Sequence, residues 1–294
     1  MKYVFFGTPR FAAIILEKLI DAGMPPVALV CNPDRPVGRK QIITPPPVKQ
    51  LIADRKVQIE ILQPEDILTI RDKLFALRPE LLIVAAYAKI LPKEILEIPK
   101  LGTIGVHPSL LPKYRGPSPI QSVILADEKE TGVSLFLMDG RVDHGPVISH
   151  QTLVINDEDD YEALEEGLAR LAADLLVETL PNFAERRGQP PAYRQAGLPQ
   201  DEPQATYSKK FTSEDAFITP EDLELATSGA SPKKAIEIHR KTRALNPEPG
   251  VWTTKNGKRV KLLETELQDY KLFLKRIQEA GKKPIELAAV QLEE

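Results

Sequence analysis

LLIVAA, residues 81–86, decides the fold. The run is apolar without interruption, so it lacks the in–out alternation of a half-buried strand, and it is too short for a core helix. A strand buried on both faces is what the middle of a parallel sheet requires. Further strand-like runs lie outward from it at 3–6, 27–31, 57–62, 103–107, 133–138 and 147–154. Helical periodicity separates most of them, at 10–22 (apolar face Phe11, Ile14, Ile15, Leu16 and Leu19), 48–53, 67–77, 120–126 and 161–184. Strand and helix alternating this way predict an α/β, doubly wound, mainly parallel sheet with right-handed crossovers. Ligands of such sheets sit beyond the carboxyl ends of the strands, at the switch point. Gly7-Thr8-Pro9 lacks the G-x-G-x-x-G pattern, which argues against a dinucleotide cofactor.

The totals are consistent with two domains: 294 residues, enough to bury a core without staples. Residues 186–204 are rich in Pro, Gly, Gln and charge and read as a linker. A helical segment at 233–243 and strand-like runs at 250–254, 260–263 and 270–274 follow, which predicts a small, mostly β second domain. The expected division is 1–188, a linker at 189–205, and 206–294. The single cysteine, Cys31, excludes an internal disulfide and reads as a small core residue. No signal peptide or membrane-length apolar run is apparent, so a reducing, cytoplasmic location and no membrane partner are expected. The net charge of −3 does not announce nucleic-acid binding.

Chemistry concentrates in residues 105–121, GVHPSLLPKYRGPSPIQ. Pro108, Pro112 and Pro117 preset the shape of the loop, and Gly116 permits a backbone conformation closed to its neighbours. His107 ends a strand and can serve as a general base or a cationic stabiliser. It needs an orienting acid. Asp143, in MDGRVDHGPVI, is the candidate; Asp139 is the rival, better suited to a turn. His144 reads as a loop residue, and His150 and His239 as structural. Ser109 lacks a nucleophile-elbow pattern, so direct acyl transfer fits better than a covalent enzyme intermediate. Metal-ligand spacing is absent, and no metal is expected.

VFFGTPRFA, CNPDRPVGRKQ, AAYAKILP, HPSLLPKYRGPSPIQ, ETGVSLFLMDGRVDHGPVI and RALNPEPGVW, taken in order, resemble the folate-dependent formyltransferase family, specifically its members that act on methionyl-tRNA. The resemblance implies a Rossmann-like catalytic domain and a C-terminal OB-like barrel. It implies formyl transfer from 10-formyltetrahydrofolate, as co-substrate, to the α-amine of methionine on initiator tRNA, by a monomer. His107 and Asp143 stand at the family's catalytic positions. Folate contacts are implied for Tyr87, Ile90, Leu91, Pro92, Ser109, Leu110, Leu111, Pro112, Asp139, Gly140 and Val142. Arg35, Arg39, Lys40 and Lys49 are implied at the acceptor end of the tRNA, where cations on a proline-stiffened loop suit phosphates.

One position departs from the pattern. The family's motif reads Asn-x-His, and Gly105 stands where the asparagine donates to the formyl oxygen. Loss of such a donor typically costs about 2.7–4 kcal/mol of barrier. A backbone N–H, Ser109 or a water admitted by the glycine are the substitutes to look for. The sequence after Glu264 is also shorter than the family's. Two other readings stay open: a weakened or non-catalytic folate- or tRNA-binding relative, and an N-formyltransferase acting on a nucleotide-linked amino sugar.

Overall fold

The run at 81–86 forms β6 (Leu81–Ala85), and β1 (Tyr3–Gly7) lies parallel beside it. Every residue of β1 is buried, and all of β6 but Val84, which is half-buried. The computed structural model describes residues 1–38, 40–185 and 197–287. Its chain divides into two compact units, Met1–Gly116 with Glu130–Val154 and Glu165–Tyr207, and Pro117–Lys129 with Ile155–Leu164 and Ser208–Glu294.

The first unit holds a seven-stranded sheet. Besides β1 and β6 it contains β2 (Ala28–Val30), β5 (Glu60–Leu62), β7 (Thr103–His107), β8 (Glu130–Leu137) and β9 (Val147–Val154). Its order is β5-β2-β1-β6-β7-β8-β9. The first five strands are parallel, and β8 and β9 extend the sheet antiparallel. Strand order reverses between β1 and β6, so the switch-point crevice opens there, one strand from His107. One face carries a cluster of Val4, Phe6, Val30, Leu82, Tyr87, Leu91 and Ile95. Burial of each large apolar side chain stabilises by about 1.5–3 kcal/mol, which is why these strands take the centre. Helix α1 (Arg10–Asp21) buries Phe11, Ala12, Ile15, Leu16 and Leu19.

The resemblance implies a proline-stiffened loop over 32–47; residues 35–37 and 42–44 within it are strands. They form a hairpin of β3 (Arg35–Val37) and β4 (Ile42–Thr44), because Gly38 (φ 71°) and Gln41 (φ 49°) reverse the chain. Helices α2 (Pro47–Arg55), α3 (Arg71–Leu77), the short α4 (Lys93–Leu96) and α6 (Tyr161–Glu185) complete the α/β pattern.

In the second unit, α5 (Pro119–Leu125) packs against α8 (Pro232–Leu245). Strands β10 (Trp252–Lys255), β11 (Lys258–Gln268), β12 (Lys271–Glu279) and β13 (Ile285–Glu286) form an antiparallel meander. Helix α7 (Pro220–Ser228) was not expected from periodicity. It starts where Thr219 Oγ1 accepts the Asp222 N–H at 3.1 Å and Pro220 opens the first turn.

Candidate active site

β7 stops at His107 because Pro108 has no N–H for the ladder, and the chain turns at once, with Ser109 N–H donating to His107 O at 2.9 Å. Ser134, opposite His107 on β8, ties the loop down. Its hydroxyl donates to Ser109 O (2.8 Å) and accepts from Leu111 N–H (3.0 Å). The left-handed backbone expected of Gly116 (φ 105°) is entered by Tyr114 as well (φ 58°). This turns the Tyr114 carbonyl to 2.9 Å from His107 Nε2. A carbonyl can only accept, so Nε2 carries a proton.

The second group arrives on the connection between β8 and β9, residues 138–146. Asp143 takes a left-handed conformation (φ 47°) and places Oδ2 3.6 Å from His107 Nδ1. The same oxygen accepts the Gly116 N–H at 2.8 Å. His107 is buried and Asp143 only slightly exposed. Asp139 forms a turn, accepting the Arg141 N–H at 3.0 Å, and its Oδ2 lies 2.6 Å from His144 Nδ1. His144 Nε2 in turn lies 3.0 Å from Glu202 Oε1.

Gly105 lies on the same face of β7 as His107, directly opposite Phe136 on β8. A Cβ at position 105 would stand 2.4 and 2.5 Å from two atoms of the Phe136 ring. The space that any side chain at 105 would need is therefore filled by buried aromatic carbon. Ser109, another candidate donor, gives its hydroxyl proton to Lys113 O at 2.6 Å. Among the described residues no serine or cysteine nucleophile is poised at the pair. Cys31 lies buried at the end of β2, where burial pushes its thiol up to about 11.

Alongside the 138–146 connection lies a cavity of about 420 Å³, lined by Leu96, Thr103, Leu137, Met138, Asp139 and Pro146 with Lys93, Glu97 and Gly102. Of the residues implied for folate, Asp139 lines it. Tyr87 and Leu91 are buried in the core cluster, where the Tyr87 ring meets Phe6 edge-on and burial pushes its hydroxyl up to about 12. Ile90 and Val142 are exposed, and residues 109–112 form the loop after β7, Leu111–Pro112 being cis. Gly140 (φ 90°) turns the connection, and Pro92 precedes α4. Position along the chain did not reveal the α4 and Thr103 walls of the cavity, since no sequence motif marks them.

Of the cations implied for tRNA, Arg35 sits on the hairpin, 2.7 Å from Glu65, and Lys40 is exposed in its turn. Lys49, on α2, donates to both Asp34 oxygens and to Gln63. Arg39 and residues 189–196 of the expected linker lie outside the described residues. Among the described residues no group of three or more His, Cys, Asp or Glu is placed to hold a metal, and no helix is long and apolar enough to cross a membrane.

Residues 1–180 match the Formyl transferase family, and residues 232–272 its Formyl transferase, C-terminal domain. The methionyl-tRNA formyltransferase of Methylococcus capsulatus is 38% identical over 273 residues, which are 92% of this chain and 82% of the relative. That of Chloroflexus aurantiacus is 40% identical over 266 residues, 90% and 79% of the two chains. Among solved structures, a methionyl-tRNA formyltransferase from Clostridium thermocellum shares the fold (TM-score 0.58, 18% identity, 95% of this chain and 98% of that one). An N-formyltransferase from Helicobacter canadensis, solved with folinic acid and dTDP-3-aminofucose, does so too (TM-score 0.61, 19% identity, 92% and 88%). By the match over its first 180 residues and its identity to these relatives, the chain belongs to the formyl transferase family.

Proposed function

We propose that the protein transfers a formyl group from 10-formyltetrahydrofolate to the α-amine of methionine carried by initiator tRNA, in the cytoplasm and as part of translation initiation. The observation that carries this reading is the His107–Asp143 pair, with His107 buried at the end of β7 and the hydroxyl of Ser109 committed to the Lys113 carbonyl. Such a pair suits transfer straight from donor to acceptor amine. The folate, when bound, supplies an activated formyl group on nitrogen.

In the transfer, a bond forms between the amine nitrogen and the formyl carbon, the formyl–N10 bond breaks, and one proton passes from amine to leaving nitrogen. Nε2 of His107 is held by the Tyr114 carbonyl, so proton traffic runs on the Nδ1 side, where Asp143 stands. His107 carries the proton, and Asp143 keeps the ring oriented and balances its charge. The β3–β4 hairpin offers Arg35 and Lys40 to phosphates of the acceptor end, Glu65 giving up Arg35 on binding. The test is formylation of charged initiator tRNA with 10-formyltetrahydrofolate. His107→Ala is expected to lower the rate by about 10²–10⁴-fold. A wild-type chain that yields no more product than His107→Ala would overturn the reading.

A further inference from the structure

Residues 198–207 lie between the stretches matched at 1–180 and 232–272, outside both of them. They nonetheless strap both loops of the candidate site. Leu198 exchanges both backbone hydrogen bonds with Val147, 2.9 Å each, at the start of β9. The Gln200 amide Nε2 then donates to the carbonyls of Asp143 and Gly145, both at 2.8 Å. Its Oε1 accepts from Arg115, from Nε at 3.0 Å and from Nη2 at 2.8 Å. Glu202 takes the guanidinium through Nη2 (2.8 Å) and Nη1 (3.3 Å), and the Tyr207 hydroxyl accepts from Nη1 at 3.1 Å. Each of the five N–H groups that an arginine offers thus has an acceptor on the strap.

Arg115 is wholly buried, and a buried cation persists only when paired and hydrogen-bonded this fully. The strap reaches its neighbour too. Thr206 accepts the Arg115 N–H through its carbonyl (2.9 Å) and the Tyr114 N–H through Oγ1 (2.8 Å). Tyr114 is the residue whose carbonyl holds His107 Nε2. One amide, Gln200, therefore connects the loop that fixes His107 to the loop that carries Asp143.

We propose that Gln200 is a positioning residue for the His107–Asp143 pair, acting through the Asp143 and Gly145 carbonyls on one side and Arg115 on the other. Asp143 sits in a left-handed conformation that a non-glycine residue keeps only when its surroundings dictate it. The two hydrogen bonds from Gln200 supply that constraint. The inference rests on the proposed formyl transfer and deepens it.

Gln200→Glu separates the two sides of the amide. The new carboxylate keeps, and by its charge strengthens, the pairing with Arg115, but it has no N–H for the two carbonyls. The expected result is a kcat about 100-fold lower, the cost of a misplacement of about 1 Å, with KM for both substrates within about twofold and a retained melting temperature. The 15N resonances of the His107 imidazole should move as Asp143 withdraws from Nδ1. Wild-type kcat in Gln200→Glu, or unmoved imidazole resonances, would overturn the proposal, and so would a loss of activity that appears only where the variant has melted. The imidazole resonances need no turnover, so a wild type that fails to formylate defeats the functional reading while the resonances still decide the role of Gln200.

Discussion

Gly105 and Phe136 face each other across β7 and β8 as one packing unit. A side chain added at 105 has to move the ring, and a ring removed from 136 leaves a gap that glycine cannot fill. Gly105→Asn alone should therefore destabilise by about 1–3 kcal/mol through overpacking, and Phe136→Ala alone by about 3–5 kcal/mol through the cavity it leaves. In the double variant the amide occupies the vacated space, so the combined loss should fall short of the sum by about 1 kcal/mol or more. Its transfer rate should also exceed that of Phe136→Ala, because only there can the amide donate to the formyl oxygen. Urea melts and single-turnover rates of the four proteins check this. Strict additivity would show that the ring and position 105 do not share a space. In the sequence Gly105 stands out only through the family resemblance, and its partner does not stand out at all. Phe136 comes into view only through the antiparallel register that sets it opposite, which no local pattern encodes.

The connection between β8 and β9 is the element that makes the site, and it is pinned at Gly145. A Cβ there would stand 1.6 Å from the Leu137 carbonyl oxygen, and Leu137 N–H bonds Pro146 O at 2.9 Å just beside it. Gly145→Ala must open this crossing and carry Asp143 away from His107. We expect a loss of about 1–3 kcal/mol in thermal unfolding and a transfer rate as low as that of His107→Ala. A Gly145→Ala protein with near-normal turnover would mean that Asp143 acts from another position. Elements of this kind were unevenly legible. β7 and β9 match their sequence readings residue for residue, since long apolar or alternating runs carry strong periodicity. The β3–β4 hairpin and α4 are three or four residues per element, too short for a period to register. Helix α7 went unread in the sequence; its Thr219-Pro220 cap is the signal that marks it, since its apolar pattern is weak.

At the scale of the molecule, the second unit gathers Pro117–Lys129 and Ile155–Leu164 to the C-terminal stretch. Arg240 on α8 reaches Asp127 at 2.5 Å, and Arg243 donates to Asp159 O at 3.2 Å. Long-range partners of this kind leave no mark on composition or periodicity, and so the sequence shows the elements but not their association. The same packing buries His239 of α8, with Nδ1 2.9 Å from Thr265 Oγ1 on β11. Burial, helped by the nearby Arg243 and Arg240 charges, pushes this imidazole down to about 4. In the unfolded chain the ring titrates near 6.5. Between those values the unfolded state binds a proton that the folded state refuses, so stability rises with pH across the window and is lost as pH falls from 6.5 to 4. The loss attributable to this ring is roughly 2–3 kcal/mol at pH 4. Carboxylates held low by partners, Glu266 beside Lys275 and Asp157 beside Lys129, add their own acid sensitivity. The comparison must therefore be made against His239→Gln, which keeps a polar group for Thr265 and cannot titrate. Trp252, the only tryptophan, lies in this unit and reports its unfolding. Urea midpoints followed by its fluorescence should converge toward those of His239→Gln above pH 7 and fall increasingly below them from pH 6.5 to 4.5, and parallel curves over that range would show that the imidazole accepts its proton in the folded state as readily as in the unfolded one.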